Sequence, residues 1–582
     1  MTEYPEINKH SIDEMKVKPN LDHSLVLGGD FDWKQIEEEL GVASREEINQ
    51  AYLAIDRHAA SSHRDKIALF WEGKNGDTEQ YTYGELATLT NQFANVIKGL
   101  GITKGERVFT YMERVPELYI AIFGSLKLGA IVSPLFADFG PDPVRDRLLD
   151  SGAKVLITSP ALRAHIDSIF SDLPDLEYVI VIDRSGQYSR QDRDIIYHEA
   201  MANASSDFTN NQVGADDYSI MHYTSGTTGK PKGAVHSHYA AIQQYATGKW
   251  VLDLHEDDIY WCTADPGWVT GTSYGMFAPW TNGVSQIIYE GGFGANAWYR
   301  TIEKHKVTVW YTAPTAIRML MKAGEKVVEQ YDLSSLRHIC SVGEPLNPEA
   351  VMWGLKVFGQ PIHDNWWQTE TGAILIANYP IMPVRPGSMG RPIPGIKAGI
   401  LDDKYNEVPP GVEGLLAIKP SWPSMFRTYW NNNEVYQSRF QDGWYLTGDQ
   451  ASQDTDGYFW FVGRADDVIN TAGHLVGPFE VESALIEHPA VAEAGVIGKP
   501  DPLAMEVVKA FVSLKEGFQP TPELRRELIQ FTRRKLAAAT APRDIEFIDS
   551  LPKTRSGKIM RRLLKAKELG LPLGDTSTLE EF

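Results

Sequence analysis

The feature that most limits the fold of this chain is an alternation of helical and extended segments that starts near residue 80. The first helical segment carries apolar residues three or four positions apart, at Leu86, Leu89, Phe93, Val96 and Leu100. Gly101 is placed to end this helix. The alternation continues with helices predicted at 115–129 and 143–152, and with apolar strands at 106–112, 130–135, 154–159 and 178–183. Such units predict a largely parallel sheet that helices cover on both faces.

A chain of 582 residues is too long for one hydrophobic core, so we expect more than one domain. Beyond residue 470 the units become shorter, with helices predicted at 478–488 and 522–539 and strands at 492–498, 507–514 and 544–549. Charged residues and glycine interrupt the apolar pattern at 463–473. We predict an α/β protein with a large N-terminal domain of several subdomains and mostly parallel sheets, residues 1–465, and a small mobile α+β domain, residues 466–582.

Charge and cysteine content argue against several functions. Lys and Arg number 56 against 77 Asp and Glu, and the formal net charge of −21 opposes unspecific binding to nucleic acid or to an anionic membrane. The two cysteines, Cys262 and Cys340, lack metal-ligand spacing, so we expect buried free thiols and a reducing compartment.

The N-terminal segment lacks the apolar run of a signal peptide, and no stretch predicts a membrane span. We expect a cytoplasmic protein with no nucleic-acid or membrane partner. Nothing in the sequence indicates an oligomeric state.

The segment YTSGTTGKPKG, residues 223–233, combines three glycines with hydroxyl groups and lysines. It follows an apolar and aromatic segment, so a strand is predicted to deliver it to one end of a sheet. Glycines permit tight turns whose amide groups point inward, and a phosphate could then be held by Thr224, Ser225, Thr227, Thr228, Lys230 and Lys232. Only two residues separate Gly226 from Gly229, and a proline follows Lys230, so this is not a Walker A loop. The alternative is a flexible polar surface loop.

Further motifs follow in a fixed order along the chain: SVGEPLNP at 341–348, WWQTETG at 366–372, YLTGD at 445–449, GRADDV at 463–468 and LPKTRSGKIMRR at 551–562. Together with the glycine-rich segment they resemble the signatures of the adenylate-forming superfamily, which includes acyl-CoA synthetases, luciferases and peptide adenylation domains. CTADPGWVTGTSYG and YTAPTAIR add similarity to its acetyl-CoA synthetase branch. The resemblance covers nearly the whole chain. It implies a site between a large and a small domain that joins a carboxylate to AMP, releases pyrophosphate, and passes the acyl group to coenzyme A.

The implied catalyst of adenylation is Lys558 in the C-terminal motif. Oxide is a very poor leaving group, so a thiol cannot displace it from a carboxylate, whereas a mixed anhydride supplies AMP. Two unit charges about 3.5 Å apart at an effective dielectric of ~20 repel by roughly 5 kcal/mol, so acetate needs a cation to approach the α-phosphate of ATP. The alternative for this segment is a solvated basic tail. Acetylation of Lys558 would remove its charge, which makes a lysine acetyltransferase and a deacetylase possible partners.

The resemblance implies an ATP site built from several segments. The glycine-rich segment would hold the triphosphate, while residues 343–345 and 364–369 would border adenine. Trp366 offers a flat stacking surface, Asp449 would accept hydrogen bonds from the ribose hydroxyl groups, and Arg464 would hold the ribose or a phosphate. The implied nucleotide-binding residues are Thr224, Ser225, Gly226, Thr227, Thr228, Gly229, Lys230, Gly343, Glu344, Pro345, Asp364, Asn365, Trp366, Trp367, Gln368, Thr369, Asp449 and Arg464. Glu370 is the implied ligand of Mg²⁺.

Trp367 carries the substrate prediction. In acetyl-specific relatives a tryptophan at this position closes the acyl pocket, and relatives that use longer acids have a small residue there. Val269, Thr270 and Val342 match the rest of the wall. A pocket of this kind accepts one or two carbons, because a longer chain clashes instead of gaining burial energy. The alternative is a buried structural tryptophan without a role in specificity.

The second step needs a rotation of the small domain, since one cleft cannot present both Lys558 and a thiol to the same carbonyl group. Asp466 matches the hinge of the family, and Gly473 and Arg533 match positions that line the coenzyme A site. The segment IEHPAV resembles a loop that binds a structural magnesium ion through the backbone oxygens of two residues and a histidine, here Ile486, Val491 and His488. Simple capping by His488 is the alternative.

Two departures from the superfamily pattern concern adenylation. Leu475 stands where relatives usually carry Arg or Lys, and Ala472 stands where many carry serine. Either Lys230, Lys232 and Mg²⁺ compensate, or adenylation is slower. Three other functions remain open: a ligase for propionate or for medium-chain or branched acids, a phosphoryl-transfer enzyme that releases ADP or phosphate, and a noncatalytic sensor of acyl-adenylate.

Overall fold

Three β-sheets organise the computed structural model, which describes residues 4–9, 15–26, 28–209, 213–225, 231–471, 474–502, 504–536, 540–554, 558–573, 576 and 579. Two large sheets lie in the N-terminal part and a smaller one lies in the C-terminal part. The predicted class is confirmed, because a large α/β domain with mostly parallel sheets precedes a small domain.

The largest sheet has 14 strands and changes character along its width. From Ile67–Glu72 to Ile362–Trp366 its neighbouring strands are parallel, and beyond Ile362–Trp366 they are antiparallel. The strands in spatial order are Ala398–Leu401, Gly414–Ile418, Trp444–Gln453, Phe459–Arg464, Ser388–Pro392, Ile376–Ala377, Ile362–Trp366, His338–Ser341, Val309–Thr312, Ile259–Cys262, Ser285–Tyr289, Ile67–Glu72 and Thr78–Thr82, with Phe440–Gln441 paired to Trp444–Gln453.

The second sheet has eight strands, and it contains the alternation that begins near residue 80. In spatial order these are Thr428–Tyr429, Pro231–Ser237, Tyr218–Ser225, Ile131–Leu135, Arg107–Tyr111, Val155–Thr158, Tyr178–Val181 and Asp194–Ile196. Tyr218–Ser225 and Pro231–Ser237 form an antiparallel pair at one side of the sheet. As the sequence predicts, a strand leads into the glycine-rich segment: residues 223–225 lie in the first strand of this pair and residues 231–233 in the second.

The helices follow the signals at their ends. Thr82 and Glu85 form a reciprocal capping box at the start of helix Tyr83–Gly99, and Gly101 after it has a φ of 86°. The longer helices are Tyr83–Gly99, Pro116–Leu128, Pro141–Ser151, Pro160–Asp167, Ala240–Trp250, Ala295–His305, Pro314–Ala323, Pro348–Phe358, Pro478–Ile486, Pro522–Lys535 and Arg561–Leu569. Short ones are His23–Val26, Lys34–Glu39, Arg45–Glu47, Tyr52–Asp56, Arg57–Ala59, Phe170–Asp172, Tyr197–Ala202, Val269–Thr272, Ser273–Phe277, Ala278–Thr281, Glu325–Val328 and Asn433–Ser438.

Helix Pro116–Leu128 is buried at every position and packs against helix Tyr83–Gly99. The two backbones approach closely at Gly124, where an added methyl group would lie 2.8 Å from Cβ of Phe93. Its continuous apolar sequence therefore reflects a helix that the core surrounds, not an amphipathic surface helix.

The C-terminal sheet has five strands: His474–Val476, Ile469–Thr471, Met505–Leu514, Val491–Asp501 and Asp544–Phe547. Helices Pro478–Ile486 and Pro522–Lys535 lie where the sequence predicts them, and the last residues of the predicted helix 522–539 fall outside the described residues. The boundary between 465 and 466 lies between strands Phe459–Arg464 and Ile469–Thr471, and it stays a prediction.

Within the described residues, no helix is long and apolar enough to cross a membrane. Cys262 and Cys340 are both buried and carry free thiols, as predicted.

Candidate active site

Two neighbouring parallel strands, His338–Ser341 and Ile362–Trp366, end at the same edge of the largest sheet. Their ends and the chain beyond them supply the two segments predicted around adenine, residues 343–345 and 364–369. Gly343 has a φ of 99°, in the left-handed region that residues with side chains rarely adopt, and it turns the chain after the first strand. The carboxyl ends of parallel strands are where open α/β sheets bind ligands, so the topology brings both segments to one site.

Two polar side chains fix Glu344. Nη2 of Arg318 donates to Oε2 at 2.7 Å, and the hydroxyl group of Thr315 donates to Oε1 at 2.7 Å. Arg318 also donates from Nη1 to Oδ1 of Asn347 at 3.4 Å. These bonds hold residues 343–345 against helix Pro314–Ala323, which fixes the conformation of one predicted adenine-binding segment.

At the second segment, Asp364 has a buried carboxyl oxygen without a partner in the described part of the chain. Its Oδ2 accepts a hydrogen bond from the Leu346 amide at 3.1 Å, and its Oδ1 is buried with no hydrogen-bond partner among the described residues. Burial raises the pKa of this carboxyl group to about 8. Buried polar atoms are nearly always satisfied, and below this pKa Oδ1 can carry the proton and donate it. An acceptor atom of a bound molecule such as a nucleotide base would satisfy it.

Asp449 and Arg464 face each other on paired strands, as the ribose prediction requires. Nη1 of Arg464 lies 3.1 Å from Oδ1 of Asp449, and Oδ2 accepts hydrogen bonds from Trp366 at 2.9 Å and from Gln368 at 3.0 Å. Burial raises the pKa of Asp449, and the charge of Arg464 opposes this shift. The carboxylate is thus fixed on one side, while Oδ1 forms no hydrogen bond with the described residues and can accept one from a ligand.

Trp366 has a different setting from the one predicted. Its side chain is only 7% exposed, packs in the apolar cluster around Leu375 and Ile376, and donates from Nε1 to Asp449. The indole therefore positions the carboxylate of Asp449. Stacking of Trp366 on adenine stays a prediction.

Trp367 is held by two buried tyrosines. Its ring stands edge to face with Tyr274 at a centroid distance of 5.1 Å, and its Nε1 donates to the hydroxyl group of Tyr311 at 3.3 Å. Both tyrosines are 0% exposed, so Trp367 rests on a closed wall. Val342, predicted for the same pocket, is buried in the same cluster, whereas Val269 and Thr270 are half-buried at the start of helix Val269–Thr272.

The stem of the glycine-rich loop lies beside Glu370. Thr224 pairs with Lys232 across the two strands, and Nζ of Lys232 lies 5.3 Å from the ring centroid of Tyr429. The hydroxyl group of Tyr429 donates to Oε1 of Glu370 at 2.7 Å. The predicted residues Gly226, Thr227, Thr228, Gly229 and Lys230, together with the side chain of Ser225, lie outside the described residues.

Glu370 is the only carboxylate predicted for nucleotide-bound Mg²⁺. This ion keeps several water molecules and typically takes one or two protein carboxylates plus phosphate oxygens, so a full protein cage is not needed. The half-buried carboxylate of Glu370 at the loop stem fits that demand. Among the described residues no group of three or more His, Cys, Asp or Glu side chains could hold a metal by itself.

Lys558 is exposed, and charged residues of both the N-terminal and the C-terminal part of the chain act on its amine. Its backbone closes a turn with Thr554, whose amide donates to the Lys558 carbonyl at 2.8 Å, and its side chain keeps access to solvent. Crowding by the surrounding protein lowers the pKa of the amine, Arg464 lowers it further, and Asp449 opposes the shift. The amine of Lys558 therefore interacts electrostatically with Arg464 and Asp449, the residues predicted to bind the ribose or a phosphate.

A buried ion pair supports the segment that carries Lys558. Nη2 and Nε of Arg561 donate to the two carboxylate oxygens of Glu482 at 2.5 and 2.9 Å, and Nη1 lies 4.0 Å from Asp467. Asp466, the predicted hinge, lies 3.8 Å from Nε of Arg464. The hinge region is therefore linked to both the ribose site and the lysine segment.

Two residues predicted to contact coenzyme A, Arg533 and Gly473, belong to the small domain. Arg533 is exposed on helix Pro522–Lys535, and Gly473 lies outside the described residues together with Ala472. Their contact with coenzyme A stays a prediction, which requires another orientation of the small domain.

His488 is buried and has protein partners at both ring nitrogens. Nδ1 accepts from the Ala490 amide at 3.2 Å, which places the proton on Nε2, and Nε2 lies 3.3 Å from Oε1 of Glu527. This hydrogen bond from the Ala490 amide is the capping contact expected as the alternative for His488. Magnesium binding by Ile486, His488 and Val491 stays a prediction.

Sequence reasoning missed three residues of the site: Arg318, Tyr429 and Arg439. Arg318 ends the motif YTAPTAIR, so its position carried a signal. Tyr429 and Arg439 flank helix Asn433–Ser438, which no motif marks, and only the tertiary structure brings them to Glu370.

Comparison with known proteins finds relatives over most of the chain. The AMP-binding enzyme family matches residues 56–430, and its C-terminal domain matches residues 480–558. An acetyl-coenzyme A synthetase of Bacillus subtilis is 54% identical over 95% of this chain and 96% of its own length. An acetyl-coenzyme A synthetase of Methanothrix thermoacetophila is 43% identical over 91% of this chain and 84% of its own.

Two crystal structures share the fold. An anthranilate CoA ligase in complex with anthranoyl-AMP superimposes with a TM-score of 0.83 at 33% identity and covers 90% of this chain and 98% of its own. An acyl-CoA synthetase of Brucella canis gives a TM-score of 0.74 at 37% identity, over 94% of this chain and 98% of its own. Because both the family model and its C-terminal domain match, the chain belongs to the AMP-binding enzyme family, and these acetyl-coenzyme A synthetases are its relatives in sequence.

Proposed function

We propose that this protein is an AMP-forming acetate:CoA ligase. In the first step an acetate oxygen attacks the α-phosphorus of ATP, which forms acetyl-AMP and releases pyrophosphate. In the second step the sulfur of coenzyme A attacks the acetyl carbonyl carbon, which forms the thioester and releases AMP and the thiol proton. One observation carries the proposal: Trp366 and Gln368, which flank Trp367, both donate hydrogen bonds to Asp449, at 2.9 and 3.0 Å, and Arg464 lies 3.1 Å from the same carboxylate. Burial raises the pKa of Asp449, and the charge of Lys558 opposes this rise.

This arrangement meets the main electrostatic obstacle of the first step. Acetate and the α-phosphate repel each other, and a cation between them lowers the barrier most when it is fixed before the reaction. Lys558 supplies that cation, and Arg464 supplies a second one that Asp449 orients. When bound at Glu370, Mg²⁺ would neutralise the phosphates of ATP.

The chain length of the acid is set by Trp367. Because Tyr274 and Tyr311 support the indole from behind, the side chain cannot move away from a longer acyl group without breaking their contacts. Acetate fits, whereas each further carbon meets the ring. A ligase for propionate or medium-chain acids would need space that this wall does not offer.

We assign the remaining roles by resemblance and by position. Residues 224–230, 343–345 and 364–369, with Asp449 and Arg464, bind the nucleotide, and Val269, Thr270 and Val342 complete the acyl pocket with Trp367. Asp466 is the hinge between domains 1–465 and 466–582, and Gly473 and Arg533 contact coenzyme A after rotation. The free thiols of Cys262 and Cys340 suit a reducing compartment, and we propose the cytoplasm as the location.

The proposal is tested by measuring pyrophosphate release with acids of two to eight carbons, with and without coenzyme A. Acetate is expected to give the highest kcat/KM, and acetyl-AMP is expected to accumulate on the enzyme when coenzyme A is left out. Release of ADP or inorganic phosphate instead would identify a phosphoryl-transfer enzyme. Ligand binding without turnover would identify a sensor of acyl-adenylate.

Lys558 is tested by separating the two steps. Lys558→Ala should reduce acetate-dependent ATP–pyrophosphate exchange by about 100-fold or more, while thioester formation from preformed acetyl-AMP continues. Lys553→Ala is the matched control, since this nearby lysine is paired with Glu493. Normal exchange in Lys558→Ala would refute the assigned role.

Acetylation of Lys558 would switch off the first step by the same loss of charge. The exposed side chain leaves room for a modifying enzyme. Mass spectrometry of the protein from cells grown with and without acetate tests this regulation, and an unmodified Lys558 under all conditions would rule it out.

A further inference from the structure

Arg439 is an arginine of the cleft for which no motif gives a role. It follows helix Asn433–Ser438 and precedes strand Phe440–Gln441. Its amide donates to the Tyr436 carbonyl at 3.1 Å, and its own carbonyl accepts from the Leu446 amide at 2.8 Å. The backbone is thus anchored on both sides, so the half-buried side chain projects from a fixed point.

The guanidinium group lies beside the site described above. A methyl group on Gly448 would lie 3.5 Å from Nη1 of Arg439 and 3.5 Å from Nη2 of Arg464, so the two arginines approach Gly448 together. Burial lowers the pKa of Lys232, Arg439 lowers it further, and Glu370 opposes this shift. Arg439 therefore shares one electrostatic environment with Lys232, at the stem of the glycine-rich loop, and with Glu370.

Arg439 differs from the other arginines of the site in its partners. Arg464 is paired with Asp449, and Arg318 is paired with Glu344. Among the residues that the structure describes, none offers a carboxylate oxygen within 4.0 Å of the Arg439 guanidinium group. Burial lowers the pKa of Arg439, whereas Tyr429, Tyr445 and the longer-range attraction of Glu370 raise it.

A half-buried guanidinium group without a carboxylate partner is unfavourable unless an anion reaches it. Its planar donors suit two oxygens of one phosphate group. Lys232 and Glu370 mark the side of the cleft where the loop stem and the expected magnesium ligand lie, whereas Asp449 and Lys558 mark the ribose side. The anion that fits this position is the far end of the ATP triphosphate.

We propose that Arg439 binds the β- and γ-phosphates of ATP and holds pyrophosphate as it leaves. This inference rests on the proposed function for the identity of the nucleotide, and it adds a specific binding residue for the leaving group. The charge on pyrophosphate increases as the bond to the α-phosphorus breaks, so a fixed guanidinium group at its far end favours the products of adenylation.

The test measures pyrophosphate directly and in the reverse reaction. Arg439→Gln should raise the Kd of magnesium pyrophosphate in calorimetry, and its KM in ATP synthesis from acetyl-AMP, by about 10-fold or more. Arg439→Lys should recover part of this loss. The KM of acetate and the rate of thioester formation from acetyl-AMP and coenzyme A should stay within about 2-fold of the unmodified protein, since neither involves the far phosphates.

Arg427→Gln is the matched control, because this nearby arginine is paired with Asp216 at 3.1 Å and should leave pyrophosphate affinity unchanged. Unaltered pyrophosphate Kd and KM in Arg439→Gln would overturn the inference. An equal loss in thioester formation would also overturn it, because Arg439 would then act only on the fold. A failure of the proposed function is distinguishable, since the unmodified protein would show no acetate-dependent exchange while calorimetry still reports pyrophosphate binding.

Discussion

At the residue scale, the site contains a carboxyl group whose ionisation works against folding. Burial raises the pKa of Asp364 to about 8, above the ordinary value of 3.8 for this side chain. Between these two values the folded state binds more protons than the unfolded state, so this residue lowers stability as pH rises, and its effect is complete above the folded pKa.

Asp364→Asn removes this ionisation and keeps the size of the side chain. The variant should therefore gain stability relative to the unmodified protein as pH rises from 5 to 8, at a rate of up to about 1.4 kcal/mol per pH unit. Thermal melting of both proteins at pH 5, 6.5 and 8 measures the difference, in which the other titrating groups cancel. A difference that does not change with pH would contradict a buried, protonated Asp364.

The specificity of the acyl pocket depends on one large side chain. Trp367→Gly should extend activity to acids of four or more carbons and lower kcat/KM for acetate, because the space in front of Tyr274 and Tyr311 becomes open. Loss of a large aromatic side chain costs about 3–5 kcal/mol of stability, so melting must be measured as well. Trp353→Gly is the control, since this half-buried tryptophan packs in another cluster and should not change the chain-length profile.

Individual residues also show what the sequence can and cannot predict about the site. The resemblance implies that Asp449 binds the ribose and that Arg464 holds the ribose or a phosphate, and the structure brings the two side chains to 3.1 Å. The resemblance also implies that Trp366 borders adenine, and only packing reveals that its Nε1 donates to Asp449. Arg439 has no local signal, because its position beside Glu370 depends on strands far apart in sequence.

At the scale of elements, local sequence signals predict where the helices and strands lie. They do not predict that the largest sheet changes from parallel to antiparallel pairing beyond strand Ile362–Trp366. Thr82 and Glu85 mark a helix start through bonds within four residues, and apolar runs mark buried parallel strands. The antiparallel half of the sheet pairs short strands such as Ile376–Ala377 with partners that no periodicity identifies. Register there depends on tertiary contacts, which the sequence does not display.

One contact between elements couples the adenine segment to the small domain. Asn347 precedes helix Pro348–Phe358, accepts from Arg318 at 3.4 Å, and donates to the Ser483 hydroxyl group at 2.8 Å on helix Pro478–Ile486. Arg318 in turn holds Glu344. A nucleotide that orders residues 343–345 would therefore favour the domain orientation that this hydrogen bond stabilises.

Ser483→Ala removes the bond between the domains and leaves the fold of each helix intact. The loss of about 1 kcal/mol should slow acetate-dependent ATP–pyrophosphate exchange about 3- to 10-fold, and thioester formation from acetyl-AMP should not slow. Ser438→Ala is the control, since that hydroxyl group bonds only within its own helix end, to the Val435 carbonyl. Equal slowing of both steps would argue against a role in domain orientation.

At the scale of the whole molecule, the two half-reactions require two arrangements of the same domains. Charged groups of the ribose site, Arg464 and Asp449, act on the amine of Lys558, whereas Arg533 is exposed on helix Pro522–Lys535. We propose that this orientation serves the first half-reaction. Rotation of the small domain about Asp466 would move Lys558 away from the ribose site and bring the surface with Arg533 toward it. The weak 3.8 Å pairing of Asp466 with Arg464 offers little resistance to such a motion.

Asp466→Pro should separate the half-reactions. Among the described residues, the Asp466 amide donates no hydrogen bond, while the flanking Ala465 and Asp467 amides do, so proline removes no bond in this orientation. Its fixed φ restricts the rotation that the second step needs. Adenylation should stay within about 3-fold of the unmodified protein, and thioester formation from acetyl-AMP should fall by about 10-fold or more. Asp466→Ala is the control, since it leaves the rotation free and should retain both steps. Rapid thioester formation in Asp466→Pro would show that Asp466 is not the hinge.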